Sequence, residues 1–175
     1  MDPSFEPVTE AQSGDVARWL ASERWTFFSQ ETLTGEEALR RVAKLFVPHR
    51  ETWWIAASGA NVGLIELYDL ADPTALFTLR VKSESRRRGL GTAALRWLTQ
   101  HLFTRFAHLV RIEGQTREDN VAMRRLFRKC GFVHEATYRR GWLTASGERL
   151  SSTGYAILRE DWERGTTTPV MWTPE

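Results

Sequence analysis

Val81-Lys-Ser-Glu-Ser-Arg-Arg-Arg-Gly-Leu-Gly-Thr-Ala93 is the stretch from which the rest of the chain can be read. The apolar run Ala75 to Val81 reads as a strand, and the segment from Gly89 to Phe103 carries Leu90, Ala94, Trp97, Leu98, His101 and Leu102 in a helical stripe. Between them lies a basic loop with two glycines. A helix start has unpaired N–H groups and a partial positive charge, which together suit a phosphate. Gly89 and Gly91 let the backbone approach a ligand closely, and Arg86, Arg87 and Arg88 add charge. The common nucleotide loops do not fit. No Lys follows Gly91, as a GxxxxGK[ST] loop requires, and a GxGxxG fingerprint needs glycine where Ala94 stands.

Upstream of the loop, Phe5 to Thr9 reads as a short strand and Ser13 to Ala21 as a helix with Ser13 as its N-cap. The aromatic run Trp25-Thr-Phe-Phe28 reads as a loop. Thr34-Gly-Glu-Glu37 is a capping-box signature for a second helix that Pro48 ends. Thr52 to Ala57, Val62 to Tyr68 and Ala75 to Val81 have the short links of an antiparallel meander. Downstream, His108 to Gly114 reads as a strand and Asn120 to Cys130 as a helix with Gly131 at its end. Phe132 to Thr144 and Arg149 to Arg159 form a hairpin. The order predicts one α/β (α+β) domain over residues 1–164. It has a mixed, mostly antiparallel sheet of six to seven strands and about four helices on both faces. A loosely held polar tail covers residues 165–175.

Composition narrows the function. Eight Trp and nine Phe in 175 residues supply enough apolar material to exclude intrinsic disorder. No apolar run approaches the ~20 residues of a membrane span, and the N-terminus, with Asp2 and Glu6, does not read as a secretory signal. A net charge of +2 argues against nucleic acid as a partner. The single cysteine, Cys130, points to a reducing, cytoplasmic setting. Four scattered histidines have no metal-ligand spacing, so no metal is expected.

Arg86-Arg-Arg-Gly89-Leu-Gly91 resembles the [RQ]-x-x-G-x-[GA] motif of the GNAT superfamily of N-acetyltransferases. Asn120 through Lys129-Cys-Gly131-Phe132 resembles the same family's N-x8-K-x-G-F segment. The hairpin Thr137 to Glu160 is similar to the branch that contains ribosomal-protein N-terminal acetyltransferases. The resemblance implies the GNAT fold, with a splayed central strand pair, and acetyl-CoA as donor. It places the pantetheine arm along Leu79, Arg80 and Val81, and the pyrophosphate on the N–H groups of Arg86, Arg87, Arg88, Gly89, Leu90, Gly91 and Thr92. It makes the backbone N–H near Val81 the oxyanion donor. Asn120 matches the CoA-contacting Asn and also reads as the N-cap of the helix it opens.

The chain departs from the family where protons move. The carboxylate positions on the strand before the loop hold Leu76 and Thr78. The usual general-acid Tyr is Phe127, and the Ser of the ribosomal-protein branch is Met123. Glu113 and Glu66 remain as general-base candidates, with Glu84 behind them. Tyr138 and Tyr155 are candidates for protonating the thiolate, while Cys130 reads as packing. The acceptor end is expected around Trp25, Phe27 and Phe28 and the stretch Tyr138 to Trp142, with Tyr138 and Arg140 foremost. The leading expectation is an N-acetyltransferase acting on a primary amine, of a small molecule or of a protein N-terminus, in a ternary complex. The alternative is an acyl-CoA-binding protein of the same fold that has lost the chemistry. A homodimer is an open expectation.

Overall fold

In the computed structural model, which describes residues 3–171, the chain runs β1 (Ser4–Pro7), α1 (Ser13–Ala21), α2 (Gly35–Val42), β2 (Glu51–Ala57), β3 (Ala60–Tyr68) and β4 (Thr74–Val81). It continues through α3 (Leu90–Arg105), β5 (Arg111–Arg117), α4 (Val121–Lys129), β6 (Val133–Leu143), β7 (Arg149–Leu158) and α5 (Arg159–Arg164). Seven strands form one sheet in the order β1-β2-β3-β4-β5-β7-β6. Every neighbouring pair is antiparallel except β4 and β5, which run parallel. This is the mixed, mostly antiparallel sheet that the sequence order predicts.

Strand alternation divides the core into two layers. Ile55, Ile65, Phe77 and Ile112 pack with Leu95, Leu98 and Leu102 of α3 and Phe127 of α4. Their chain neighbours Trp54 and Leu64 face the other way and pack with Val16 and Leu20 of α1 and Ala38 and Val42 of α2. The Thr34 capping box forms as its spacing predicts. The Thr34 hydroxyl accepts from Glu37 N at 3.2 Å and the Glu37 carboxylate accepts from Thr34 N at 2.8 Å. At α1 the cap differs from expectation. A 3-10 turn, Glu10–Gln12, precedes the helix, and Ser13 is its first residue rather than its cap.

Pairing between β4 and β5 lasts for three residue pairs, ending at Leu76 and Glu113. Beyond that point the strands part, and aromatic rings fill the branch. Phe77 packs edge-on to Phe127 at 6.1 Å between ring centroids, and Phe127 stacks flat on Tyr155 at 4.7 Å. A Cβ on Gly114 would lie 2.8 Å from both phenylalanine rings, so the wedge fits only because residue 114 has no side chain.

Several boundaries differ from the sequence reading, and the second helix closes at Val42, six residues short of Pro48. The ladder of β5 begins at Arg111 rather than His108, because 108–110 approach the sheet through Leu70 O and Pro73 O before pairing starts. The chain after β7 forms a short helix, α5, that the sequence reading missed. At its start Arg159 donates to the carbonyls of Phe103, Phe106 and Leu109 at 2.6 to 2.8 Å, capping the C-terminal end of α3 with positive charge. The expected loose tail is tied at its beginning. The Asp161 carboxylate accepts from Thr168 N at 3.0 Å and from the hydroxyls of Thr166 and Thr168. Residues 172–175 of that tail lie outside the described residues.

Candidate active site

The parting of β4 from β5 leaves half of β4 with an unpaired edge. Lys82 N donates to Val62 O, so on this antiparallel pair the even-numbered backbone groups of β4 point to β3 and those of Leu79 and Val81 point into the gap. The Val81 carbonyl is met there by Arg86 Nε at 2.9 Å. The loop then turns through two left-handed residues, Arg87 (φ 62°) and Gly89 (φ 82°), into α3. Glu23, from the segment after α1, holds this loop from above by accepting from Ser83 N at 2.8 Å and pairing with Arg86 at 3.4 Å.

A cleft of about 730 Å³ runs along this edge. It is lined by Leu79, Arg80, Val81, Arg86, Arg87, Gly89, Leu90, Gly91 and Thr92 on one side and by Asn120, Met123 and Leu126 of the α4 segment on the other. The first-turn N–H groups of α3 point into it. The two loop glycines serve different ends. Gly89 supplies a positive φ, and a Cβ there would touch nothing within 4 Å. A Cβ on Gly91 would lie 3.1 Å from Leu126, so Gly91 lets α3 and α4 approach.

A second cavity of about 360 Å³ opens on the other side of the gap, lined by Phe27, Phe28, Tyr68, Thr78, Glu113, Gln115, Thr116 and Trp142 among others. The two cavities share Phe27, Phe28, Leu79, Asn120 and Met123, a girdle at the splay. The aromatic segment is pinned over this girdle by Arg117, which donates to Thr26 O at 3.2 Å and pairs with Asp119 at 2.6 Å. Asn120 caps α4 by accepting from Met123 N at 3.2 Å and donates to Thr116 at 3.0 Å, while it faces both cavities.

Glu113 is the single carboxylate among the residues lining the second cavity. It accepts from Arg111 at 2.7 Å, and Arg111 also pairs with Glu135. The structure does not bring Glu66 to the splay. It lines neither cavity, is 5% exposed, and its oxygens are held by Arg80 and by Arg41 at 3.0 Å. Burial alone would raise its pKa. The charges of Arg80 and Arg41 outweigh burial and hold the carboxyl below its ordinary value. That is a structural ion cluster rather than a poised base. Glu84 is exposed in the loop.

Trp25 lines the larger cleft with its indole N–H on Leu20 O at 2.8 Å, and Arg88 points outside both cavities. Tyr138 is 46% exposed and, like Arg140, lines neither cavity, because the ladder of β6 shifts register between Tyr138 and Trp142. Tyr155 is fully buried beneath Phe127. Cys130 is half-buried, lines neither cavity, and burial raises its thiol pKa, so it is a poor nucleophile at neutral pH.

Three polar residues of the second cavity, Tyr68, Gln115 and Thr116, were not singled out in the sequence, whereas Trp142 closes the Tyr138 to Trp142 stretch expected at the acceptor end. Alternation from Glu66 along β3 would have put Tyr68 on the same face, and the two β5 residues follow Glu113 directly. Burial, followed by the charges of Glu66 and Asp69, raises the Tyr68 pKa, so its hydroxyl stays protonated well above neutrality. Trp142 is placed by the β6 register shift, which no sequence pattern announces.

A mixed sheet that splits at one parallel pair, with a glycine–arginine loop opening a helix beside the split, is the arrangement that the family resemblance implies. The chain belongs to the GNAT acetyltransferases, since residues 4–133 match the family described as "Acetyltransferase (GNAT) domain". Among solved structures it is similar to RimL, a ribosomal L7/L12 α-N-protein acetyltransferase in complex with coenzyme A. The TM-score is 0.78 at 15% identity, over 90% of this chain and 94% of that one. Mycobacterium smegmatis RimJ in complex with CoA-disulfide gives a TM-score of 0.75 at 21% identity, over 90% and 82%. Spermidine N-acetyltransferase from Vibrio cholerae in complex with CoA and spermine gives 0.79 at 16%, over 93% and 98%. No curated protein matches the chain. Among the described residues no helix is long and apolar enough to cross a membrane, and no His, Cys, Asp or Glu cluster could hold a metal ion.

Proposed function

We propose that this chain transfers the acetyl group of acetyl-CoA directly to a primary amine while both are bound. The observation that carries this reading is the meeting of two cavities at the splay, one beside an anion-binding helix start and one beside a lone carboxylate. Acetyl-CoA fits the larger cleft. Its pyrophosphate lies on the N–H groups from Arg86 to Thr92, and its pantetheine arm extends β4 along the free edge of Leu79 and Val81. The thioester carbonyl then sits at the girdle, where the Val81 N–H stabilises the tetrahedral oxyanion, a donor worth ~3 kcal/mol in comparable sites.

The amine approaches from the smaller cavity. Glu113 accepts the proton that the attacking nitrogen must lose, and Arg111 keeps that carboxylate in place. The nitrogen lone pair forms the C–N bond, the C–S bond breaks, and the thiolate leaves with the bonding pair. A thiol pKa near 8.5 makes this departure easy without a dedicated acid, which suits a chain with Phe127 where the family pattern has tyrosine. A single free cysteine fits a cytoplasmic setting.

Calorimetry with CoA, together with thiol release from acetyl-CoA against an amine panel, tests the reading. CoA binding with turnover on at least one amine is expected, and Cys130→Ala should turn over within about twofold of the parent. CoA binding without turnover on any amine would overturn transfer, and a trapped acetyl-cysteine at 130 would overturn its directness.

A further inference from the structure

The two cavities meet beneath a single layer of chain. Residues 22–34, between α1 and α2, form neither helix nor strand. Within them Phe27 and Phe28 are half-buried and line both cavities, while Thr26, Ser29 and Gln30 are exposed. The segment closes on itself at its base. Trp25 N donates to Glu31 O at 2.6 Å, and the Glu31 carboxylate accepts from Arg24 at 2.8 Å. No strand ladder holds the tip, so its place over the girdle depends on side chains from elsewhere.

Those side chains come from the two strands that part. From β4, the Arg80 guanidinium lies 3.8 Å from the centre of the Phe28 ring. From β5, Arg117 donates to Thr26 O at 3.2 Å and lies 5.1 Å from the centre of the Phe27 ring. The same guanidinium donates to both oxygens of Asp119, at 2.8 and 2.6 Å, and has Glu31 at 3.7 Å. Asp119 precedes Asn120, which caps α4 and lines both cavities. The planar fork of Arg117 therefore fixes the aromatic segment and the start of α4 against each other. Three of the five girdle residues, Phe27, Phe28 and Asn120, are carried on the pieces it joins. Arg80 lines the donor cleft itself. Arg117 is 7% exposed and lines neither cavity, so it acts on the junction only through those pieces.

We propose that Arg117 is a positioning residue that keeps the acetyl group for the amine and away from water, a role that rests on the transfer reading above. A thioester at the girdle is open to hydrolysis as well as to aminolysis. Water attacking the carbonyl carbon forms a C–O bond as the C–S bond breaks, which gives acetate and the free thiol. One proton of the water goes to the thiolate and the other to solvent. A closed aromatic wall excludes that water and leaves the amine as the nucleophile at hand. Without the fork the segment keeps its base at Glu31, but its tip is free to lift and the thioester meets solvent.

The test measures thiol release from acetyl-CoA with and without an amine that the parent accepts, in the parent, Arg117→Lys and Asp119→Asn. CoA affinity is measured by calorimetry, and a thermal melt checks that each protein is folded at the assay temperature. Lysine keeps the charge and loses the fork. The Asp119 side chain is nearly half exposed, so the second variant weakens the grip on the guanidinium without opening the core. In Arg117→Lys the amine-independent share of thiol release should rise about tenfold and kcat/KM for the amine should fall about tenfold. CoA affinity should stay within about threefold, because the loop at the start of α3 is untouched. Asp119→Asn should move the share in the same direction by a smaller factor, and it decides alone if Arg117→Lys does not fold. An equal fall of both rates would show that Arg117 serves stability only. That result, or an unchanged share in the folded variants, would overturn the proposal and leave acetyl transfer standing. CoA binding by the parent without turnover on any amine would remove the transfer reading and this role together.

Discussion

The proposed donor cleft and the proposed acceptor cavity share a girdle of five residues and are otherwise made of different material. The donor cleft presents backbone: the open edge of β4, the loop from Arg86, and the first turn of α3. The acceptor cavity presents side chains drawn from β3, β4, β5, β6 and the segment after α1. A site made of main chain needs specific residues only where the backbone does something unusual. A site made of side chains can change every residue and keep its shape.

If that division holds, the two halves should fail in different ways. The largest expected effect is Glu113→Gln, which removes the one carboxylate lining the acceptor cavity. It should lower kcat/KM for the amine about a hundredfold at neutral pH and leave CoA affinity within about twofold. Equal loss of CoA affinity would break the division. Next is Gly91→Val in the donor half. Its branched side chain meets Leu126, whose Cδ2 already lies 3.1 Å from an added Cβ, and crowds the mouth of the cleft. CoA affinity measured by calorimetry should fall more than about tenfold. Gly89→Ala, which meets no neighbour and carries only the strain of φ 82°, should lose less.

The smallest effect on rate is expected at Glu66. Glu66→Gln should keep kcat within about threefold, because the side chain reaches neither cavity. Its effect should appear in stability, since Arg80 is left 3% exposed without its main countercharge. Breaking such a pair is worth about 3 kcal/mol, or roughly a 10 °C fall in Tm at this chain length. The pKa of Glu66 is lowered in the folded state, so its contribution is fully present above the ordinary carboxylate range. It is lost as pH falls through the depressed value. Thermal melts of both proteins from pH 7 down to pH 3 should converge toward the acid end.

How much of this was legible in the sequence follows the same division. The strand–loop–helix element was readable because glycines, arginines and helical periodicity are local, and Thr34 and Glu37 announced their helix because a capping box closes within four residues. Strand β5 was misplaced by three residues because Arg111–Arg117 is largely polar, and its arginines are neutralised both by near neighbours, Glu113 and Asp119, and by Glu135 and Glu31 far along the chain. Glu113 and Glu66 looked alike in sequence, each on a strand near the splay. They are told apart by Arg41 and Arg80, whose side chains reach only Glu66. The Tyr138 to Trp142 stretch was expected at the acceptor end as a whole, and the sequence could not say which of its residues reach the cavity: across a register shift in β6 Trp142 lines it while Tyr138 stays out.

The girdle has a kinetic consequence. In the proposed reading acetyl-CoA and the amine enter from opposite sides of Phe27, Phe28, Leu79, Asn120 and Met123, so neither would bar the other's way in or out. Binding order is then set by affinity rather than by obstruction. Free coenzyme would compete with acetyl-CoA but not with the amine, and an acetylated product could leave while the spent coenzyme is still in place.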